Sequence, residues 1–332
     1  MKNTMKALNL HAVGDLRLEE LPMPVCGGDE VLVKIAFCGI CGSDIPRVFS
    51  KGTYHFPTVI GHEFSGTVES DPTGELTGRQ VAVFPLLPCF KCESCKNEDY
   101  ALCSDYDYYG SRRDGAMAEY LAVKKFNILP LPEGVSLSAG AMCEPSAVAL
   151  HAIKKLGDLS GKRLLISGAG PIGLIAAMWA KNRGAEAVYF FDLDADKIKA
   201  AESMGFFEYT DDISVDAVVE GTGAGPALVR CLKALKPFGQ IVLMGNPSRK
   251  IELTQQDYWL ILRKELRLFG TWNSSFGEKQ NDWKEALMGM SEGIITPEKL
   301  ITHRVSFEDY ASAFEMMRDR TEFYQKVMLE VK

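Results

Sequence analysis

The chain has 332 residues, more than one domain usually contains, which predicts two domains of about 150 residues each. Its composition, 46% hydrophobic and 24% charged, is that of a folded globular protein and excludes a largely disordered one. A formal net charge of −7 and the lack of any lysine or arginine cluster argue against a nucleic-acid or anionic-membrane surface. We therefore expect a small-molecule ligand.

The first twenty residues interrupt their apolar positions with charges every few residues, so they lack the apolar core of a signal peptide. We expect a cytoplasmic protein. Nine cysteines in that reducing compartment should not form a disulfide framework, and they favour metal binding instead.

Short β-branched runs separated by Gly, Pro and Asp fill residues 1 to about 130, for example EVLVKIAF, SGTVES and RQVAVF. This pattern predicts a mostly β domain. Within it, FCGICGSD holds Cys38 and Cys41 at the two-residue spacing of a zinc knuckle or a redox dithiol. Further along, GHEFSG supplies His62 and Glu63.

Four cysteines crowd into the segment CFKCESCKNEDYALC. They are Cys89, Cys92, Cys95 and Cys103. Four thiolates can close a tetrahedral shell around zinc and leave no position for substrate, so this site is predicted to be structural. An iron–sulfur cluster is the alternative. The acidic residues around the segment argue against a zinc ribbon that contacts DNA.

A third motif, MCEPSAVALHA, contributes Glu144. One thiolate from CGICGSD, the imidazole of His62 and one carboxylate make a three-ligand zinc site whose remaining position can hold water or an alcohol. That arrangement is typical of a catalytic metal.

Strand and helix patterns alternate from about residue 148 to residue 280, which predicts a doubly wound parallel sheet with helices on both faces. The uncharged run Leu164 to Ala180 has the length of a marginal membrane span. Its glycines favour a strand, a glycine turn and a buried helix that begins at Pro171.

The segment SGAGPIG has the G-x-G-x-x-G spacing of a dinucleotide-binding turn, although a flavodoxin-like or methyltransferase sheet could carry the same glycines. The next strand, AVYFF, ends at Asp192, whose carboxylate can accept hydrogen bonds from the ribose hydroxyls and would repel a 2′-phosphate, so NAD is favoured over NADP. Lys197 either flanks the adenosine or is a solvated helix residue. The predicted cofactor-binding residues are Gly168, Gly170, Pro171, Ile172, Gly173, Asp192, Lys197 and Thr222.

The predicted domains are a catalytic domain over residues 1–147 with its cysteine lobe at about 86–106, a nucleotide-binding domain over 148–283, and a return to the catalytic domain over 284–332. The last segment contains EKLITHRVSFEDYASAFEMM, which predicts a strand and an amphipathic helix. The stretch ELRLFGTW reads as an apolar edge strand able to pair with a second copy, so we expect a homodimer or homotetramer.

Taken in order, CGICGSD, GHEFSGTV, the four-cysteine lobe, CEPSAVALHA and GAGPIG resemble the zinc-dependent medium-chain dehydrogenases, and the polyol dehydrogenase branch in particular. The resemblance spans essentially the whole chain and implies a GroES-like β-rich domain plus a Rossmann domain. It implies that Cys41, His62 and Glu144 bind the catalytic zinc, with Glu63 as a fourth ligand or an outer-shell group. Cys38 is then a buried small hydrophobe.

The same resemblance gives Ser43 the role of hydrogen-bonding the substrate alcohol, although a turn residue is the alternative. It implies NAD-dependent oxidation of a secondary alcohol of a polyol or polyol phosphate to a ketone. The alternative substrates are a free polyol such as sorbitol, an amino acid such as threonine, or a butanediol. A non-enzymatic dinucleotide-binding protein is a remote alternative.

Three strings, CGSDIPR, FPLLPCFKC and GSRRDG, are similar to those of the galactitol-phosphate-oxidising members of this branch. They imply that galactitol 1-phosphate is oxidised to tagatose 6-phosphate. Arg47, Arg112 and Arg113 lie in these strings, and a guanidinium binds phosphate in a bidentate fork, so we expect one or more of them near the phosphate. The alternative is that all three make ordinary ion pairs.

Overall fold

The computed structural model of the chain describes residues 3–331. It divides into two compact units. The first combines the residues up to Glu144 with those from Ser275 onward, and the second is Pro145–Ser274. None of the helices among the described residues has both the length and the apolar character that a membrane crossing requires.

The strands, in chain order, are β1 Thr4–Ala12, β2 Asp15–Pro22, β3 Glu30–Ile40, β4 Thr58–Val59, β5 Glu63–Ser70, β6 Gln80–Val83, β7 Leu86–Leu87, β8 Asp107–Tyr108, β9 Tyr120–Lys124, β10 Ile128–Pro130, β11 Arg163–Ser167, β12 Ala187–Phe191, β13 Phe207–Glu208, β14 Val215–Glu220, β15 Leu235–Leu243, β16 Arg267–Gly270, β17 Ile301–Ser306 and β18 Lys326–Glu330.

The helices are α1 Asp44–Pro46, α2 Glu93–Lys96, α3 Leu137–Ala141, α4 Cys143–Lys155, α5 Pro171–Asn182, α6 Ala195–Ser203, α7 Gly225–Ala234, α8 Gln255–Arg263, α9 Asp282–Ser291 and α10 Tyr310–Asp319.

The first unit is built on a mixed sheet in the order β10-β6-β5-β3-β18-β17, with β9 also paired to β3. The long strand β3 lies in the middle, and its side chains Val31, Val33 and Ile35 are buried in the core of the unit. Strand β18 comes from the end of the chain and runs antiparallel to β3. The register puts Gly39 opposite Glu63 on one side and opposite Met328 on the other.

The second unit is a parallel sheet in the order β13-β12-β11-β14-β15-β16. Numbered within the unit, this is the 3-2-1-4-5-6 order of dinucleotide-binding Rossmann sheets. The uncharged run that could have been a membrane span is strand β11, a glycine turn and helix α5, as predicted. The predicted combination of a β-rich domain with a Rossmann domain is confirmed.

Close backbone packing explains two glycines of the turn between β11 and α5. Gly168 has a φ of +98°, in the region that disfavours side chains. A Cβ at Gly173 would lie 2.2 Å from the carbonyl oxygen of Gly168. Helix α5 begins at Pro171, with Gly170 as its N-cap, so the first N–H groups of the helix are presented by the glycine segment.

Candidate active site and metal centres

The thiol of Cys41 lies just past the end of β3, where the chain turns into α1. The turn is held by the buried carboxylate of Asp44, whose Oδ2 accepts a hydrogen bond of 3.0 Å from the backbone N–H of Cys41. Cys41 is only partly exposed, and desolvation together with the charges of Glu63 and Asp44 raises the pKa of its thiol well above the ordinary value. Ser43 is exposed at the start of α1. Cys38 is fully buried.

His62 and Glu63 stand at the start of β5, beside the end of β3. One ligand atom each from Cys41, His62 and Glu63 lies within 4.8 Å of the other two. Tetrahedral zinc with bonds of 2.0–2.3 Å needs ligand atoms about 3.3–3.8 Å apart, a separation that lies within this 4.8 Å limit. His62 Nδ1 is buried and finds no hydrogen-bond partner among the described residues, with Asp44 Oδ1 3.7 Å away. A sulfur, an imidazole and a carboxylate together fit zinc.

Glu144, at the start of α4, is not part of that 4.8 Å cluster, yet its carboxyl group interacts with the same residues. Burial and the neighbouring carboxylate of Glu63 raise the pKa of Glu144 to about 7, against the opposing effect of His62. The hydroxyl of Tyr108 is 3.5 Å from Glu144 Oε1. A bound divalent cation would reduce the electrostatic repulsion among these buried acidic groups.

Sequence reasoning missed Lys326, the first residue of β18. Its side chain is 4% exposed, and its Nζ donates to Glu63 Oε2 and, at 3.1 Å, to the carbonyl oxygen of Ile40. Burial works to lower the pKa of Lys326, but the charges of Glu63 and Cys41 outweigh it, so the pKa is raised. No motif marks this lysine, because only the pairing of β18 with β3 brings it here.

The four cysteines of the lobe converge on one point. Each offers a sulfur within 4.8 Å of the others, and Cys89 Sγ lies 3.9 Å from Cys95 Sγ, close to the ~3.8 Å expected around tetrahedral zinc. The backbone N–H groups of Cys89 and Asp105 donate to Cys103 Sγ at 3.3 and 3.4 Å. The donor set therefore fits a closed, structural zinc site.

In the second unit, the carboxylate of Asp192 follows β12 and lies beside the glycine turn. It accepts hydrogen bonds from the N–H groups of Ala169, at 2.8 Å, and Asp194, at 3.0 Å. Thr222 follows β14 and is held by Glu220, whose Oε1 accepts from the Thr222 N–H at 2.8 Å and from its hydroxyl at 2.5 Å. Glu220, which the sequence did not single out, therefore orders this loop.

Two other residues expected at the cofactor lie in the neighbouring helices. Ile172 is the second residue of α5, directly after the glycine turn. Lys197 lies in the first turn of α6, beyond the end of β12.

The three arginines expected near a phosphate differ in their partners. Arg47 pairs with the buried Asp44 and is itself 17% exposed. Arg113 Nη1 lies 3.7 Å from Asp107 Oδ2. Within residues 3–331, Arg112 has no carboxylate partner.

The guanidinium of Arg112 packs on two tyrosine rings, 4.5 Å from the centroid of Tyr54 and 4.2 Å from that of Tyr106. Its Nη1 donates to the Tyr106 carbonyl oxygen at 3.1 Å. The Tyr106 ring is 6.4 Å from that of Tyr108, which is 5.8 Å from the imidazole of His62. A contiguous row of rings therefore links Arg112 to the candidate catalytic cluster.

Comparison with protein families matches both parts of the chain. Residues 27–133 match the alcohol dehydrogenase GroES-like domain, and residues 171–292 match the zinc-binding dehydrogenase family. The first range contains the cysteine lobe and the cluster around Cys41. The second contains most of the Rossmann unit.

Curated relatives include dehydrogenases of phosphorylated and of free polyols. Galactitol 1-phosphate 5-dehydrogenase of Escherichia coli K12 is 36% identical over 93% of this chain and 95% of its own. Sorbitol dehydrogenase of Bombyx mori is 32% identical over 93% and 94%. D-arabitol-phosphate dehydrogenase of Enterococcus avium is 31% identical over 99% and 98%.

Solved structures agree over nearly the whole chain. Galactitol-1-phosphate dehydrogenase from Escherichia coli superposes with a TM-score of 0.91 at 35% identity, covering 98% of this chain and 100% of that one. A zinc-binding dehydrogenase from Sinorhizobium meliloti 1021 bound to NADP, and an alcohol dehydrogenase from Escherichia coli CFT073 complexed with NADH, each give a TM-score of 0.90 at 27% identity, with 99% and 100% coverage. The chain therefore belongs to the zinc-dependent medium-chain dehydrogenases, in the branch of the polyol dehydrogenases, and is an oxidoreductase that uses zinc and a nicotinamide cofactor.

Proposed function

We propose that the enzyme oxidises the secondary alcohol of a phosphorylated hexitol, galactitol 1-phosphate to tagatose 6-phosphate, with NAD as the hydride acceptor. The observation that carries the choice of a phosphorylated substrate is the guanidinium of Arg112, which packs on two tyrosine rings and has no carboxylate partner within residues 3–331. Two relatives whose names specify phosphorylated polyols, at 36% and 31% identity, support the same choice.

Arg112 suits a phosphate better than the other two arginines do. Arg47 is needed to neutralise a buried carboxylate, and Arg113 lies near Asp107. The stacked rings of Tyr54 and Tyr106 fix the plane of the Arg112 guanidinium, so less side-chain freedom is lost when it binds an anion. We therefore narrow the three sequence candidates to Arg112.

The proposed catalytic residues are Cys41, His62 and Glu144 as zinc ligands, Glu63 beside them, and Ser43 as the hydrogen-bond partner of the substrate hydroxyl. Zinc, when bound, supplies a Lewis acid that lowers the pKa of the substrate alcohol toward neutrality. Ser43 is exposed, so its hydroxyl can relay the proton by donating its own proton to water as it accepts the one from the substrate hydroxyl. The carbinol carbon loses a hydride to NAD, and the products are the ketone, NADH and one proton.

The two related structures at 27% identity carry different cofactors, NADP in one and NADH in the other. The proposed preference for NAD therefore rests on Asp192. Both carboxylate oxygens of Asp192 are held by backbone N–H groups, one from Ala169 in the glycine turn and one from Asp194 just after β12. A fixed negative charge at that position repels a 2′-phosphate and accepts hydrogen bonds from ribose hydroxyls.

A comparison of substrates tests the proposal. NAD reduction is measured with galactitol 1-phosphate, glucitol 6-phosphate, galactitol, sorbitol, threonine and 2,3-butanediol. We expect a clear kcat/KM advantage for a phosphorylated hexitol. Arg112→Ala should remove about 1–3 kcal/mol of that advantage, mainly through KM, and leave the rate with free galactitol nearly unchanged.

Arg113→Ala is the matched control, because it removes the same charge from the neighbouring position while Arg112 stays. A free polyol that outperforms both phosphates would contradict the substrate and favour the sorbitol-type alternative. Equal losses in the two arginine variants would contradict the role of Arg112.

We also propose that two copies pair along the edge strand β16. This strand ends the sheet of the second unit, and Leu268 on it and Trp272 just beyond it are 39% and 53% exposed. Leu262 on α8 adds a third exposed apolar side chain, at 55%. Light scattering should give a multiple of the chain mass, and Leu268→Lys should lower it.

A further inference from the structure

Glu63 forms a buried ion pair with Lys326, a residue that lies outside the sequence motifs of the site. Lys326 is 4% exposed and Glu63 3%, so the pair is shielded from water and its electrostatic interaction is strong. The second hydrogen bond of Lys326 Nζ, to the carbonyl oxygen of Ile40, fixes the ammonium at the end of β3. One oxygen of Glu63, Oε2, is therefore held by the lysine.

The fold leaves dedicated room for this pair. The lysine side chain reaches Glu63 by crossing over Gly39 in β3. A Cβ at Gly39 would lie 2.5 Å from Glu63 Oε2 and 2.7 Å from Lys326 Cε, both closer than real contacts allow. Gly39 has no Cβ, and its absence is what permits Lys326 to meet Glu63.

Charge counting indicates what the pair does. A zinc ion is neutralised by the thiolate of Cys41 and the carboxylate of Glu144. The charge of Glu63 would make the centre anionic if that carboxylate became a ligand, which would weaken its pull on a substrate hydroxyl. Lys326 supplies the compensating positive charge from the opposite strand, so Glu63 does not need the metal as its partner.

We propose that Lys326 is a positioning residue that keeps Glu63 from closing permanently on the catalytic metal, and so preserves one position for the substrate hydroxyl. This inference rests on the proposed metal site at Cys41, His62 and Glu144. When the lysine is replaced by a neutral residue, the buried carboxylate of Glu63 loses its partner, and a metal held by the adjacent His62 and Cys41 is a positive charge that can replace it.

The test uses the cobalt(II)-substituted protein, whose visible absorption reports the coordination of the metal, with imidazole as the probe for an open position. In Lys326→Met, imidazole should bind about 10- to 100-fold more weakly than in the unmodified protein. Lys326→Gln, which keeps a donor for the Ile40 carbonyl oxygen but not the charge, should weaken imidazole binding as Lys326→Met does. Lys326→Arg should largely retain the affinity.

A second substitution separates positioning from a merely structural role. In Glu63→Gln the side chain cannot close on the metal as an anion, so adding Lys326→Met to it should cost no further affinity for imidazole. Lys264→Met is the control for losing a partly buried lysine, because Lys264 caps backbone carbonyls of the second unit, including Leu235 O. The Lys264→Met substitution should leave imidazole binding unchanged. Thermal melts establish that each variant is folded.

Unchanged imidazole affinity in Lys326→Met and Lys326→Gln would overturn the inference. So would an equal loss in the presence and absence of Glu63→Gln. If Cys41→Ser leaves the cobalt spectrum and its response to imidazole unchanged, the metal is elsewhere and the proposed active site fails with it. If the lysine variants behave as expected while galactitol 1-phosphate is not oxidised, only the substrate assignment fails.

Discussion

Replacing Asp192 by serine should narrow the preference for NAD over NADP. The substitution removes the charge that repels a 2′-phosphate and the acceptor for the ribose hydroxyls. One charged hydrogen bond contributes about 1–3 kcal/mol, which corresponds to a change of roughly 5- to 150-fold in the ratio of the two kcat/KM values. We expect the change to come mostly from a rise in the KM for NAD.

The structure adds a second effect to this substitution. Asp192 also accepts hydrogen bonds from the N–H groups of Ala169 and Asp194, so serine should loosen the glycine turn. Because Asp192 is partly exposed, each bond is expected to contribute about 0.5–1 kcal/mol. A fall of a few degrees in melting temperature should follow.

Asp192→Asn is the matched control, because the amide keeps an acceptor oxygen but not the charge. The two cofactors are compared in steady-state kinetics at fixed substrate, and stability is read from thermal melts. Asparagine should retain more of the thermal stability than serine does, while losing the repulsion of NADP. An unchanged cofactor ratio in both variants, or equal use of NAD and NADP by the unmodified enzyme, would refute the role given to this carboxylate.

Four other substitutions test separate parts of the structure. Cys92→Ser should remove the zinc of the lobe and lower the melting temperature, whereas Cys41→Ser should abolish turnover and leave the melt nearly unchanged, as metal analysis, assays and calorimetry can check. Burial works to raise the pKa of Asp71, but the ammonium of Lys125 and two backbone N–H groups lower it below its usual range, so its contribution to stability is full above about pH 4 and is lost on acidification. Asp71→Asn should therefore destabilise the protein at pH 7, and its free energy of unfolding, measured by chemical denaturation, should fall less steeply below pH 4 than that of the unmodified protein. Equally steep falls in the two proteins would contradict this. Gly39→Ala should cost about 1–3 kcal/mol of unfolding free energy, because its Cβ would lie 2.5 Å from a buried carboxylate oxygen, and an unchanged denaturation midpoint would show that the site has spare room.

Local patterns were sufficient to predict the Rossmann sheet and its turn. Alternating strands and helices predict a parallel sheet, and the glycine segment predicts a helix beginning at Pro171, which the structure confirms. Both depend on residues close together in the chain. The roles of the individual zinc and cofactor residues stay predictions.

Contacts between distant segments could not be predicted. Lys326 lies 263 residues after Glu63, and only the antiparallel register of β18 with β3 brings them together. The ion pair of Arg47 could not be predicted either, because the spacing of the two residues does not show that the carboxylate of Asp44 is buried. The sequence therefore identifies donor types at the site but not the charges that balance them.

Anomalous diffraction at the zinc edge, from crystals grown with NAD and galactitol 1-phosphate, tests the two metal centres and the substrate site together. We expect a zinc peak at each of the two clusters, one among the four cysteines of the lobe and one at Cys41 and His62. We expect the substrate phosphate at Arg112. Zinc in the lobe alone, or a phosphate that lies away from Arg112, would contradict the proposed active site.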